Sequence, residues 1–197
     1  MARPSVLYLA LGSMSWLPVK LLYRLRATGL EHVPREGGFV LAANHTSNFD
    51  PWPLALPLFP RRWLRFMAKS ELYWWPLGYL LNGGGAFPVR RGEGDADAIA
   101  KAVELCRAGE VVVMFPEGTR RKKGLRKKWE ARPHTGAARI ARDAGVPIVP
   151  AAVKGTERLA RLGPVRVAYG QPVEAGDDPR ETTRRVMDEI ERLHASL

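Results

Sequence analysis

The change of pattern that decides the fold lies in the segment Phe39-Val40-Leu41-Ala42-Ala43-Asn44-His45-Thr46-Ser47-Asn48-Phe49-Asp50-Pro51. Residues 39–43 form a short apolar run, which predicts a buried strand over 38–43. A turn follows at 44–49, and Pro51 favours the first position of a helix. Proline also disfavours the helical conformation in the residue before it, so Asp50 is predicted to be the N-cap. From that position its carboxylate can turn back toward His45.

His45 and Asp50 together indicate general-base chemistry. A histidine accepts a proton near neutral pH, and a fixed carboxylate orients the ring and stabilises its protonated form. On a continuous helix, residues five apart point roughly 140° away from each other, so the pair meets only if the chain turns between them. No serine or cysteine elbow accompanies the pair, which favours a base that activates a substrate hydroxyl. The alternative is that Asp50 only caps a helix and His45 is an ordinary loop histidine.

Short apolar runs alternate with helical patterns along the rest of the chain. This alternation predicts a single α/β domain, with a largely parallel central sheet flanked by helices. A chain of 197 residues is long enough for one such domain with its own core. We expect an N-terminal amphipathic helical motif at 1–27 and the α/β domain at 28–197. Strands are predicted at 38–43, 63–67, 111–115, 147–153 and 165–169, and helices at 51–58, 95–107, 135–144 and 179–195, the last starting at Asp177 or Asp178.

The net charge of +11 is concentrated in one segment. Residues 120–132 contain eight basic residues and one acidic residue. Such a run is a solvated loop, or it binds nucleic acid or anionic lipid. Cys106 is the only cysteine, which excludes an intrachain disulfide, favours a reducing compartment and suits a residue on the inner face of a helix.

The N-terminal segment has the pattern of a helix, or a helix pair, at a membrane surface. Apolar residues recur there at helical spacing, and the stretch is shorter than the roughly 20 residues of a spanning helix. Two aromatic-rich segments, 52–59 and 72–81, resemble membrane-interface belts. From periodicity alone, packing on the protein's own core is an equal alternative. The recurring residues are Leu7, Leu11, Met14, Leu17, Leu21 and Leu25.

A phosphate site is predicted where the apolar strand 111–115 ends. In open α/β sheets, ligands bind beyond the carboxyl ends of strands. Gly118 permits close backbone approach, Thr119 offers a hydroxyl and an N–H, and Arg120 offers a planar fork that suits phosphate. Glu117 fixes that arginine or accepts from a substrate hydroxyl, and Arg90 after a second apolar stretch adds another phosphate contact. The alternative is a loop with an internal Glu–Arg pair and a surface arginine at position 90.

Together these segments resemble the four ordered blocks of the glycerolipid acyltransferase family, the 1-acylglycerol-3-phosphate acyltransferases and their relatives. Asn44-His45-x4-Asp50 looks like the first block, and Gly85-x-Phe87-x-x-Arg90 looks like the second. Phe115-Pro116-Glu117-Gly118-Thr119-Arg120 is a full match to the third, and Val146-Pro147-Ile148-Val149-Pro150 looks like the fourth. The blocks lie in the family's order between residues 28 and 170. One departure is Pro133-His134-Thr135-Gly136, where many members carry Phe-Lys-x-Gly, so that His134 would replace a basic contact.

The resemblance implies transfer of a fatty acyl group from an acyl thioester to the sn-2 hydroxyl of 1-acylglycerol-3-phosphate, which gives phosphatidic acid. It implies His45 as the base, Asp50 as its partner, and a phosphate site made by Arg90, Glu117, Gly118, Thr119 and Arg120. It also implies an α/β domain seated peripherally on the cytoplasmic face of the cell membrane. No metal or prosthetic group is expected, because acyl-CoA or acyl carrier protein brings the acyl group as a co-substrate. Acyl-pocket candidates are Phe87, Val146, Pro147, Ile148, Val149 and Pro150.

Several alternatives remain open at this stage. The acceptor is 1-acylglycerol-3-phosphate or another lysophospholipid, and the donor is acyl-CoA or acyl carrier protein. A hydrolase would use the same His–Asp pair on water. A nucleic-acid-binding module built on 120–132 would leave that pair unexplained, and no recognised binding motif accompanies the run, so no nucleic acid partner is expected. Backbone N–H groups near the His45 turn are the candidate oxyanion donors.

Overall fold

A seven-stranded sheet runs through the part of the chain described by the computed structural model, which comprises residues 4–89, 96–117 and 133–197, without the side chains of 159–161. Its strand order is β1-β7-β6-β2-β5-β3-β4. The strands are β1 (Arg26–Thr28), β2 (Phe39–Ala43), β3 (Leu64–Lys69), β4 (Ala86–Val89), β5 (Val111–Met114), β6 (Ile148–Lys154) and β7 (Arg166–Tyr169).

The middle of the sheet is parallel, as predicted. Strands β2 to β6 all run in one direction, and β7 is antiparallel to β6. β1 pairs with β7 in parallel at the edge of the sheet. Because strands β2 to β6 share a direction, their carboxyl ends meet at one edge, where ligands bind in open α/β sheets.

Helices cover both faces of the sheet. The described helices are α1 (Val6–Leu22), α2 (Pro51–Ala55), α3 (Leu77–Gly83), α4 (Ala96–Arg107), α5 (Gly136–Ala144) and α6 (Pro179–Ser196). Residues of α4, α5 and α6 form one core cluster on one face of the sheet, and α2 and the segment after α1 contribute to a second cluster on the other face. This two-sided cover explains why β2 is apolar throughout, since a central parallel strand is buried on both faces. Every residue of β2 has 0% exposure.

α1 packs its inner side on the segment that joins α2 to β3. The Tyr8 ring lies against Phe59 and Trp63, with centroids 6.1 and 6.3 Å apart, and its hydroxyl donates to the carbonyl of Arg62 at 3.3 Å. Gly12 makes this close approach possible, because a Cβ atom there would lie 2.4 Å from the Phe59 ring. The helix has 17 residues, and no helix among those described is both long and apolar enough to cross a bilayer.

The outer side of α1 is also apolar, so the predicted amphipathic pattern is only partly correct. Met14, Leu17 and Leu21 are exposed as expected, whereas Leu7 and Leu11 are half-buried. The reason is that small residues such as Gly12 and Ser15 form the packed side, which leaves large apolar residues on both flanks. We call the exposed set, together with the aromatic segment at α3, the apolar surface. It consists of Val6, Leu9, Met14, Trp16, Leu17, Leu21 and Leu22 on α1, and Leu72, Trp74, Trp75, Tyr79 and Leu80 around α3.

All five predicted strands and all four predicted helices are present, with ends shifted by one or two residues. The helix at 51–58 tightens to a 3-10 turn at Leu56–Leu58 around Pro57. Three short elements were not predicted, namely β1, β4 and α3. β1 crosses the boundary expected between residues 27 and 28, so the division into a motif and a domain stays a prediction.

Candidate active site

The first, third and fourth sequence blocks converge because their strands are neighbours. β2 lies between β5 and β6, and Ala42 is paired with Met114 on one side and with Pro150 on the other. The chain leaving β2 therefore enters the His45 turn beside Phe115 of the third block and beside the end of β6. The second block lies on β4, which β3 separates from β5.

His45 and Asp50 form a buried pair. His45 Nδ1 lies 2.8 Å from Asp50 Oδ2, His45 is 8% exposed and Asp50 is fully buried. An ionised carboxylate only accepts hydrogen bonds, so Nδ1 carries the proton and Nε2 has the free lone pair in the neutral ring. The sequence-based expectation that the chain turns between the two residues is confirmed.

The turn is closed by the Asp50 carboxylate itself. Oδ2 accepts hydrogen bonds from the backbone N–H groups of Thr46 at 2.6 Å and Ser47 at 2.8 Å. Oδ1 accepts from the hydroxyl of Thr156 at 2.5 Å. Burial acts to raise the pKa of Asp50, but the hydrogen bonds from His45, Ser47, Thr156 and Thr46 outweigh it, so the pKa lies below its ordinary value.

Asp50 occupies the predicted N-cap position of α2, and its carboxylate faces His45 as predicted. The side chain makes no capping bond to that helix, and the backbone of Asp50 has helical angles. The carboxylate turns back because two backbone N–H groups of the turn, the Thr156 hydroxyl and the imidazole are available to it. The same contacts mean that the N–H groups of Thr46 and Ser47 already have an acceptor, so these two are not oxyanion donors.

Phe115 covers one face of the His45 ring. The rings of His45 and Phe115 are stacked, with centroids 4.1 Å apart and 16° between their planes. The imidazole is therefore held at Nδ1 by Asp50 and across its face by a phenyl group. Among the described residues, none forms a hydrogen bond with Nε2, which leaves this nitrogen for a substrate proton.

Asn44 ties the turn to the end of β6. Its side-chain amide donates to the carbonyl of Val153 at 2.9 Å and accepts from the N–H of the same residue at 2.8 Å. The side-chain amide of Asn44 thus pairs with the Val153 backbone groups, as the backbone of another β2 residue would do. Because Val153 on β6 keeps its hydrogen bonds, the backbone can leave the sheet at His45.

Most of the predicted phosphate site lies outside the described residues. This holds for Arg90, Gly118, Thr119 and Arg120, and also for the basic run 120–132. Glu117 is described and is half-buried two residues after Phe115, on the same edge of the sheet as His45. His134 lies beside the third block, because its backbone N–H donates to the carbonyl of Pro116 at 2.8 Å. The described residues contain no group of three metal-binding side chains.

The acyl-pocket candidates lie in the sheet. Phe87 is buried on β4, and Ile148, Val149 and Pro150 are buried on β6, while Val146 and Pro147 immediately precede β6. An open, mostly apolar cavity of about 380 Å³ is found elsewhere, between α1 and the catalytic turn. It is lined by Ser15, Val19, Tyr23, Phe49, Trp52, Pro53, Thr156 and Val165. Phe49 and Thr156 place this cavity directly beside Asp50.

A family model described as Acyltransferase matches residues 24–154, which is most of the α/β region and contains all four blocks whole. The chain belongs to this acyltransferase family. Its match begins just after α1 and ends at Lys154, the last residue of β6, so Thr156 lies beyond it.

The relatives of this acyltransferase agree with one another. It is 32% identical to a 1-acyl-sn-glycerol-3-phosphate acyltransferase of Bacillus subtilis, over 75% of this chain and 72% of the relative. A Streptococcus pneumoniae protein of the same name is 28% identical, over 90% of this chain and 70% of the relative. The crystal structure of the 1-acyl-sn-glycerophosphate acyltransferase PlsC from Thermotoga maritima superposes with a TM-score of 0.70 at 26% identity, covering 94% of this chain and 76% of that chain.

Two contributors to the site were missed from the sequence. Thr156 carries no local pattern, and its contact with Asp50 spans 106 positions of the chain. The sequence pattern identifies Phe115 only as the last residue of an apolar strand and as part of the third block. The parallel pairing of β2 with β5 was the signal that could have placed Phe115 against His45, because it brings the two strand ends together.

Proposed function

We propose that this acyltransferase moves a fatty acyl group from an acyl thioester to the sn-2 hydroxyl of 1-acylglycerol-3-phosphate and so makes phosphatidic acid for phospholipid biosynthesis. The observation that carries the proposal is the buried His45–Asp50 pair, with Nε2 unengaged by any described residue and an apolar cavity alongside. The relatives named 1-acyl-sn-glycerol-3-phosphate acyltransferase, which are 28% and 32% identical over most of the chain, support the same acceptor.

The chemistry follows from the geometry of the pair. Nε2 of His45 takes the proton of the acceptor hydroxyl as the oxygen attacks the thioester carbonyl, and Asp50 stabilises the imidazolium that forms. The tetrahedral intermediate collapses with cleavage of the carbon–sulfur bond. The thiolate then receives the proton from His45, which returns the base to its starting state. Because a thioester is already activated, the pair needs no enzyme nucleophile and the acyl group passes directly between the two substrates.

The acceptor phosphate is assigned to Arg90, Glu117, Gly118, Thr119 and Arg120. Glu117 supports this placement, since it follows β5 at the edge where His45 stands. Arginine is suited to the task because its planar fork matches phosphate oxygens in a bidentate manner. The reaction as proposed uses acyl-CoA or acyl carrier protein as co-substrate and requires no metal or prosthetic group.

The acyl chain of the donor or acceptor is assigned to the apolar cavity beside Asp50. Its walls come from α1, the catalytic turn and the end of β6, so a chain lying there has its carboxyl end near His45. Apolar lining removes the chain from water, which contributes about 0.8 kcal/mol for each buried CH₂.

We assign the enzyme a peripheral place on the cytoplasmic face of the cell membrane, held by the apolar surface. α1 and α3 are joined by a hydrogen bond from Ser5 Oγ to the carbonyl of Gly83 at 2.6 Å, so the two helices that carry the exposed residues are neighbours. Trp75 is 85% exposed and Val6 84%, although both are large apolar side chains. Soluble proteins rarely expose a large apolar patch unless it serves a partner or a membrane. A lysolipid acceptor would be delivered from that membrane.

The deciding experiment is a mass-spectrometric screen of the purified enzyme. Acyl-CoA and acyl carrier protein are each offered with a panel of lysolipids that carry or lack a terminal phosphate. We expect phosphatidic acid from 1-acylglycerol-3-phosphate with at least one donor, and much less product from the other acceptors. A preference for another lysophospholipid would replace the acceptor, and release of free fatty acid without any acylated lipid would make the protein a hydrolase.

A further inference from the structure

Thr156 holds the one carboxylate oxygen that His45 does not use. Its hydroxyl lies 2.5 Å from Asp50 Oδ1, and the residue is 2% exposed. It follows β6 and lies outside all four sequence blocks. The contact therefore adds a side chain to the site that neither the motifs nor the family match contain.

The two oxygens of Asp50 have different partners. Oδ2 binds the imidazole and two backbone N–H groups, whereas Oδ1 accepts from the hydroxyl of Thr156 at 2.5 Å, and the Thr46 hydroxyl lies 3.4 Å from it. An ionised carboxylate has no proton to give, so the hydroxyl proton of Thr156 points to Oδ1. The hydroxyl of Thr46, 3.0 Å from that of Thr156, is then the donor in the pair of threonines.

The backbone is shaped to bring Thr156 to this place. Gly155 has a φ of +98°, a conformation that side chains rarely adopt, and a Cβ atom there would lie 2.3 Å from the carbonyl of Pro164. Two residues earlier, Val153 is bound by the Asn44 side chain. The end of β6 is thus fastened to the catalytic turn on both sides of Gly155, and Thr156 also lines the cavity.

We propose that Thr156 is a positioning residue of the acyl-transfer site, whose hydroxyl fixes the rotation of the Asp50 carboxylate and, through it, the orientation of the His45 ring. Only the expected effect of Thr156 on the rate of acyl transfer rests on the proposed function. Rotation about the Cβ–Cγ bond of Asp50 would move Oδ2 away from Nδ1. The backbone N–H groups of Thr46 and Ser47 oppose this rotation at Oδ2, and the Thr156 hydroxyl opposes it at Oδ1. A charge-assisted hydrogen bond to a fully buried carboxylate is strong enough for this role.

The test compares Thr156→Val, which removes the hydroxyl but keeps the shape, with Thr156→Ser, which keeps the hydroxyl. Loss of a hydrogen bond to a charged group predicts a fall in kcat of about 10- to 100-fold for Thr156→Val. The KM for the acceptor should change by less than about threefold, because Thr156 acts through Asp50 and not on the phosphate. Thr156→Ser should retain kcat within about threefold of the wild type. Thr182→Val is the matched control, since Thr182 is equally buried and its hydroxyl accepts from the N–H of Gly176 far from the site.

A second readout needs no substrate. Nitrogen-15 NMR of the histidine side chains reports which nitrogen of His45 carries the proton. We expect a fixed Nδ1–H form in the wild type and in Thr156→Ser, and a mixture of the two tautomers in Thr156→Val. If the wild type transfers no acyl group but shows this pattern, the proposed function fails and the role of Thr156 stands. Thr156→Val with unchanged kcat and tautomer, or Thr156→Ser as impaired as Thr156→Val, would overturn the proposal.

Discussion

The imidazole of His45 and the phenyl ring of Phe115 lie nearly parallel, with centroids 4.1 Å apart. This contact joins the first sequence block to the third through side chains and not only through the pairing of β2 with β5. Asp50 fixes Nδ1 in the plane of the ring, and Phe115 fixes the plane itself. The two contacts together determine where Nε2 points. A ring face also stabilises a cation above it, which favours the imidazolium formed during proton transfer.

Replacing Phe115 with leucine should therefore affect catalysis more than folding. Phe115→Leu keeps an apolar side chain in the core but removes the flat surface under His45. We expect kcat to fall by about tenfold, since loss of an aromatic contact costs about 0.5–1.5 kcal/mol and each 1.4 kcal/mol is tenfold in rate. Steady-state kinetics with a saturating acyl donor measure this effect.

The control is Phe66→Leu. Phe66 is a partly buried phenylalanine packed on the same core cluster as Phe115, but its ring is not stacked on His45. Both variants should lose similar stability, and only Phe115→Leu should lose rate. Equal rates in the two variants would show that the stacked ring does not orient His45.

Asn44 should matter for stability as well as for the turn. Asn44→Ala leaves the N–H and carbonyl of Val153 without their partners in a buried place. An unsatisfied buried group costs about 1–3 kcal/mol, so the free energy of unfolding should fall by at least about 2 kcal/mol. Urea denaturation followed by circular dichroism gives this value. Asn48→Ala, an identical change at an exposed position of the same turn, should leave the free energy of unfolding within about 0.5 kcal/mol of the wild type.

The lowered pKa of Asp50 predicts how stability depends on pH. A carboxyl whose pKa is lower in the folded than in the unfolded state stabilises the fold at pH values above its unfolded pKa, near 3.8, and this contribution disappears as the pH falls through the folded pKa. The difference in unfolding free energy between wild type and Asp50→Asn should narrow as the pH falls below about 4. Urea titrations across this range test it, and a difference that widened in acid would mean that the pKa is raised instead.

Membrane binding should depend on the apolar surface and not on the packed side of α1. Val6, Leu17 and Leu21 are exposed, so changing all three to glutamine leaves the Tyr8 and Phe59 contacts intact. Each large apolar side chain contributes about 1.5–3 kcal/mol when it leaves water, so vesicle partitioning should fall by at least about 100-fold. Flotation with anionic vesicles in low and high salt measures it. The single change Leu30→Gln, at another exposed leucine, is the control, and unchanged binding of the triple variant would place the membrane contact elsewhere.

Elements with a strong local pattern were predictable from the sequence. The apolar run 39–43 can only be a strand buried on both faces, and Pro51 sets the start of α2. The spacing of His45 and Asp50 required a turn between them, which is present. Asp178, predicted as one of two possible helix starts, caps α6 by accepting from the N–H of Arg180.

Features that depend on distant contacts were not predictable. β1 has three residues, too few to show an alternating pattern, and β4 contains Pro88, a residue that argues against a strand. The turn of the Asp50 carboxylate toward His45 was predictable, but its contact with Thr156 was not, because that residue lies far along the chain and carries no local pattern. The packed side of α1 was misjudged for a similar reason, since Gly12 becomes a contact residue only when Phe59 lies against it.

The central claim is that His45 is the base for acyl transfer to 1-acylglycerol-3-phosphate. The most direct measurement compares the rate at which purified wild type and His45→Ala form phosphatidic acid from an acyl thioester, with Tm and vesicle binding recorded for both. General-base catalysis contributes about 10²–10⁴-fold, so we predict a rate at least 100-fold lower for His45→Ala with fold and vesicle binding unchanged. A His45→Ala enzyme that kept more than about a tenth of the wild-type rate would contradict the assignment.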